Sequence, residues 1–85
     1  MRQLTVYVRR GCHLCTDMTQ ALERLRQELD FEINTVDIDR DPQLLALYTT
    51  RVPVLVADDV EICYYFLEET RLRQHFSSNA DSSPD

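Results

Sequence analysis

The sequence predicts an α/β domain in which a mixed four-stranded sheet carries helices on both faces, in the order β-α-β-α-β-β-α. Three observations carry that prediction. Two short runs with strand-like alternation, residues 4–8 and 31–36, flank a long helical stripe, which is the pattern of a right-handed parallel crossover. Asp41-Pro42 opens a second apolar-faced segment in the manner of a helix start. Residues 52–57 and 60–64 are separated only by Asp58-Asp59, which marks an antiparallel hairpin.

Taken in order, Leu4, Val6 and Val8 alternate with Thr5 and Tyr7 in the first strand. Gly11, the single glycine of the chain, stands where strand must turn into helix, a place that favours freedom at φ. Leu14, Met18, Ala21, Leu22, Leu25 and Leu29 then form one stripe, and the steps between them are helical. Phe31–Val36 is the second strand, followed by an acidic turn from Asp37 to Pro42. Leu44, Leu45, Leu47 and Tyr48 give the second helix its apolar face. Val52–Ala57 and Val60–Tyr64 are the third and fourth strands, and Leu67–Phe76 a final short helix. Residues 1–76 are expected to fold as one domain. Residues 77–85, SSNADSSPD, are too polar to offset their ordering entropy and are expected to form a disordered tail.

The chain has 85 residues and a formal charge of −6. That charge repels nucleic-acid phosphates and anionic membrane surfaces, so neither is an expected partner. No apolar run reaches the length of a membrane span. The apolar stretch after Arg2 is too short for a secretory signal, and a cytoplasmic monomer is expected. Three cysteines, two of them in a tight C-x-x-C, make a poor structural disulfide framework and a good reactive pair.

That pair is Cys12 and Cys15, in Arg9-Arg10-Gly11-Cys12-His13-Leu14-Cys15. Cys12 falls at the start of the first helix, where free N–H groups and the helix dipole stabilise a thiolate. Such surroundings lower a thiol pKa from about 8.5 into a range of roughly 3.5–7.5. Cys12 is the expected nucleophile, and Cys15, one turn inside, the thiol that resolves a mixed disulfide. A closed zinc site needs about four ligands, and the sequence holds neither a second C-x-x-C nor a His pair. No metal is therefore expected. Residue 16 is Thr and not His, which removes haem attachment.

With this motif after the first strand, the β-α-β-α-β-β-α order and Val52-Pro53 opening the third strand, residues 1–76 resemble the thioredoxin-fold superfamily, and glutaredoxins within it. The G-C-x-L-C start and the acidic D-I-D turn are similar to those of small bacterial glutaredoxin-like domain proteins. The resemblance implies a thiol–disulfide oxidoreductase acting on protein or glutathione mixed disulfides, with no tightly bound cofactor and with glutathione as a possible co-substrate. It also implies a cis Pro53 facing the cysteines and a Val52 backbone offered to substrate. Two departures stand out. Where glutaredoxins carry Gly-Gly and an acidic residue for the γ-glutamyl end of glutathione, this chain reads Cys63-Tyr64-Tyr65-Phe66-Leu67; and the C-x-x-C interior is His13-Leu14 rather than Pro-Tyr.

The antiparallel third strand is expected to bring Arg51 beside Arg9 and Arg10 around Cys12, a positive patch able to favour a thiolate and hold a substrate carboxylate. The plainer reading is that the three arginines solvate loops. His13 tunes the disulfide through its imidazolium or is merely solvated. His75 is read as a helix C-terminal charge, Cys63 as a small buried hydrophobe, and Asp37, Asp39 and Asp41 as turn and cap residues rather than a metal site. Two other functions fit the same sequence: an iron–sulfur carrier that uses Cys12 with glutathione thiols, and a binding module whose cysteines are idle.

Overall fold

The computed structural model describes residues 2–81. β1 (Arg2–Val8), β2 (Phe31–Asp37), β3 (Val54–Ala57) and β4 (Val60–Tyr64) form one sheet, and the helices are α1 (His13–Arg26), α2 (Pro42–Tyr48) and α3 (Glu69–Asp81). The strand order is β2-β1-β3-β4. β1 pairs parallel with β2, and β3 pairs antiparallel with both β1 and β4. This is the expected mixed sheet.

One face of the sheet is dry. Leu4 and Val6 of β1, Phe31 of β2 and Leu55 and Ala57 of β3 pack with Met18, Leu22 and Leu25 of α1 and Leu72 and Phe76 of α3. The alternation of β1 and the helical stripe of α1 meet in this layer, which is how sequence periodicity becomes a core. The Phe31 and Phe76 rings lie 5.9 Å apart across it. The other face carries α2, whose Tyr48 stacks on Tyr7 at 4.8 Å. No residue of α2 is fully buried. Its order comes instead from its start, where Asp41 accepts the Gln43 N–H at 2.9 Å and Pro42 needs no partner for a missing donor.

Several boundaries differ from the sequence reading, and β2 runs one residue further, to Asp37. β1 begins at Arg2 because it pairs with β2 from Arg2 opposite Phe31. β3 begins at Val54 and not Val52, since Pro53 has no N–H to give a ladder. α3 begins at Glu69 rather than Leu67 and runs on to Asp81, past Phe76, where the polar composition of the following residues suggests a stop. His75 therefore sits inside the helix, not in its last turn, and pairs with Asp58 at 2.9 Å. The last four residues of the expected tail, 82–85, lie outside the described residues.

The hairpin turn uses two aspartates in left-handed backbone, Asp58 at φ 52° and Asp59 at φ 64°. Both central positions of this two-residue turn need positive φ to match strand twist, and aspartate tolerates it better than most residues. A bulge in the β3–β4 pairing lets Val56 face Glu61 while Leu55 faces Cys63. The extra residue is Ile62, so Ile62 and Cys63 are both buried although adjacent in sequence.

Candidate redox site

β1 delivers the chain to the site. Gly11, at φ +74°, turns it into α1 with open space where a Cβ would stand. The turn leaves Cys12 as N-cap of α1, at φ −92° and ψ 108°, its Sγ accepting the Cys15 N–H at 3.1 Å. Cys12 and Cys15 are joined by a disulfide with their Cα atoms 5.2 Å apart. The two sulfurs differ in access: Cys12 is half-buried and Cys15 only 5% exposed. A half-buried sulfur with a backbone donor aimed at it, next to a buried partner one turn on, can attack an external disulfide and then be released from within.

A shallow cavity of about 510 Å³ opens over both cysteines. Arg9, His13, Thr16, Thr19, Gln20 and Thr35 contribute to its walls. Thr19 donates its hydroxyl to the Cys15 carbonyl at 2.8 Å and so braces the first turn. Thr16 and Thr19 follow Cys12 and Cys15 by four residues and are legible from helical spacing. Thr35 comes from β2 and is brought here only by the parallel pairing of β1 and β2.

The Val52–Pro53 peptide bond is cis, as the resemblance implies. Pro53 is buried and Val52 half-buried. They share an end of the sheet with Cys12, because Tyr7 lies opposite Val54 and β1 runs out toward Gly11 just where β3 begins.

The expected arginine patch does not form as such. Arg9 reaches back to Asp39 at 3.1 Å. Arg51 holds Glu61 of β4 through one guanidinium nitrogen, at 2.9 and 2.8 Å, and lies over the Tyr48 and Tyr64 rings. Arg10 is exposed and makes no ion pair among the described residues. His13 is nine-tenths exposed and faces Asp17 at 3.8 Å. Arg9 and Arg51 are each neutralised by a carboxylate remote from it in the chain, so positive charge near Cys12 is weaker than a count of arginines suggests.

The remaining expected residues fall into structural places. Asp37 caps the short 3-10 turn Ile38–Arg40 by accepting the Asp39 N–H, Asp41 caps α2, and Asp39 pairs with Arg9. Cys63 is buried in the core and accepts the Glu68 N–H at 3.5 Å. Burial pushes its thiol pKa up, an effect that the Glu68 N–H offsets only in part. Among the described residues no three His, Cys, Asp or Glu side chains converge as a metal site would require. No helix among the described residues is long and apolar enough to cross a membrane.

Comparison with known proteins agrees with this geometry. An uncharacterized protein of Mycobacterium tuberculosis is 32% identical over 87 residues, covering 96% of this chain and 90% of its own length. A Nitrosomonas europaea protein of known solution structure is 42% identical, with a TM-score of 0.81 over 87% of this chain and 89% of that one. The structure of E. coli glutaredoxin, at 24% identity, shares the fold with a TM-score of 0.57 over 94% of this chain and 99% of that one. The family model for the glutaredoxin-like domain (DUF836) matches residues 3–77, and the chain thus belongs to the glutaredoxin-like domain family.

Proposed function

We propose that the protein is a thiol–disulfide oxidoreductase that reduces protein or glutathione mixed disulfides through Cys12 and Cys15. The observation that carries this reading is the asymmetry of the pair: Cys12 is accessible and capped by a backbone N–H, while Cys15 is buried within bridging distance. In the reduced protein the Cys12 thiolate attacks one sulfur of a substrate disulfide. A Cys12–substrate bond forms and the other substrate sulfur leaves as a thiolate, which takes up a proton. Cys15, deprotonated, then attacks Cys12 Sγ, and the second substrate thiol departs. Two electrons pass to the substrate, and the protein is left with its Cys12–Cys15 disulfide. An external thiol reductant returns it to the dithiol state.

The N–H aimed at Cys12 Sγ serves this cycle twice. It stabilises the attacking thiolate, and it stabilises the same sulfur when it leaves as the external reductant opens the bridge. Val52 and Pro53 precede β3 at the sheet end shared with Cys12, and Arg10 is the basic side chain near Cys12 in the chain that makes no ion pair among the described residues. These three are the residues proposed to meet substrate. Arg51 and His13, both engaged with carboxylates, contribute through position rather than free charge.

Trapping tests the assignment of roles. Cys15→Ser, reduced and mixed with a peptide disulfide, accumulates a covalent adduct on Cys12. Cys12→Ser under the same conditions accumulates none. Adduct on Cys15 or Cys63 in the Cys12→Ser variant at a similar rate contradicts the reading.

A further inference from the structure

The end of the sheet that holds Cys12 has two unlike flanks. Toward β2 lies the polar cavity, where Arg9 pairs with Asp39 and His13 faces Asp17. Toward β4 lies an aromatic ridge: Tyr64, Tyr65 and Phe66 are 45%, 38% and 65% exposed. The register sets them beside the site, since Tyr7, Val54 and Tyr64 form one row across β1, β3 and β4. The chain beyond each member of that row leads to Cys12, Pro53 and Phe66 respectively.

The ridge is built, not incidental. Tyr65 holds a left-handed backbone at φ 68°, a conformation that a bulky residue keeps only when its surroundings over-determine it, and such outliers gather at ligand clamps. Here the Tyr65 N–H donates to the Pro53 carbonyl at 2.9 Å and its hydroxyl to the Thr50 carbonyl. The Phe66 N–H donates to the Tyr64 carbonyl at 2.8 Å. Those bonds tie the turn to the cis-proline loop and leave the Phe66 ring standing in water. Arg51, neutralised by Glu61, braces Tyr64 from the other side. The surface on the β4 side of the disulfide is therefore aromatic and tied to the cis-proline loop, with Arg51, the cation beside it, already paired.

Adjacent strands lie about 4.8 Å apart, so β4 is about 10 Å from β1. That is the reach of about three residues of extended chain. From these observations we propose that Tyr65 and Phe66 determine specificity for the Cys12–Cys15 centre. They select an extended protein segment with an apolar side chain two or three residues from its disulfide cysteine, over a small anionic disulfide. The inference rests on the exchange reading above and names its substrate class. A small anion gains little from aromatic rings, and Asp39 and Glu61 already pair with Arg9 and Arg51, which leaves it Arg10 alone among the three arginines expected around Cys12.

The test uses three disulfides: two peptides, each dimerised through a single cysteine, with Leu or Glu three residues from it, and oxidised glutathione. Second-order rates are measured for the reduced wild type, Phe66→Ala and Phe66→Tyr, each checked by thermal melt; truncation of so exposed a ring leaves the fold intact. Wild type is expected to prefer the Leu peptide over the Glu peptide by about tenfold, the effect of one well-packed aromatic anchor. Phe66→Ala brings that preference below about threefold while its rate with oxidised glutathione stays within about twofold of wild type. Phe66→Tyr keeps the preference. An unchanged preference in Phe66→Ala, or an equal loss with all three disulfides, overturns the assignment while leaving the exchange reading in place. A wild type that reduces none of the three overturns the exchange reading itself.

Discussion

Replacing Gly11 tests the local geometry that delivers Cys12 to the head of α1. Gly11 sits at φ +74°, and a Cβ built there meets no heavy atom within 4 Å. The penalty for a side chain is therefore one of backbone conformation alone. An alanine in left-handed backbone costs about 1–2 kcal/mol. Its smaller conformational entropy in the unfolded chain returns about 0.4–1 kcal/mol. The net expectation for Gly11→Ala is a loss of about 1 kcal/mol. In a domain of this size that lowers the melting temperature by about 4–8 °C. Asparagine adopts the left-handed region far more readily, so Gly11→Asn is expected to recover at least about half of the loss. The assay is urea unfolding of the three oxidised proteins, followed by circular dichroism and confirmed by thermal melts. An alanine variant as stable as wild type refutes the conformational argument, and an asparagine variant less stable than the alanine one refutes it in favour of a steric contact at this turn.

Two further expectations follow from the packing. Burial raises the Cys63 pKa in the folded state, so the folded protein keeps the Cys63 proton where the unfolded chain has lost it. Stability is therefore full below the ordinary thiol range and falls as pH rises through it, toward the higher folded value; urea unfolding at pH 7.5 and 9.5 should show a smaller fall for Cys63→Val than for wild type, and equal falls contradict the assignment. Asp41 caps a helix with no buried residue. Its replacement by Ala should cost about 1 kcal/mol locally, read as about fivefold faster amide exchange across residues 45–49 with little change in the global melt; a global loss of that size without faster exchange in α2 contradicts a purely local role.

Much of this architecture is legible in the chain because local and tertiary preferences coincide. The β1-α1-β2 unit is read from alternation and helical stripe, and the same residues, Leu4, Val6, Met18, Leu22 and Leu25, turn out to be the core. Asp41-Pro42 names its own helix start. The cysteine pair is legible because Gly11 and the strand-to-helix junction fix where Cys12 must stand. What is not legible depends on distant partners. Arg9 and Arg51 read as a patch around Cys12, yet Asp39, thirty residues on, and Glu61, across a strand pairing, decide where their charges go. The Ile62–Cys63 bulge breaks strand alternation and leaves no mark except two adjacent apolar residues. The end of α3 is hidden because Ser77–Asp81 have the composition of a tail and the backbone of a helix. Tyr65 is the plainest case: nothing in Tyr64-Tyr65-Phe66 announces a left-handed residue, which is set by its bonds to Pro53 and Thr50.

The central claim is that Cys12 and Cys15 cycle between dithiol and disulfide, with Cys12 meeting the outside. Equilibration of wild type and Cys15→Ser in a series of glutathione redox buffers, read by intact mass and peptide mapping, tests it directly. The account predicts that wild type loses two hydrogens reversibly across a single midpoint, and that Cys15→Ser gains one glutathione, on Cys12. A Cys12 that stays reduced and unmodified in the most oxidising buffer contradicts it and makes the fold a binding module with idle cysteines.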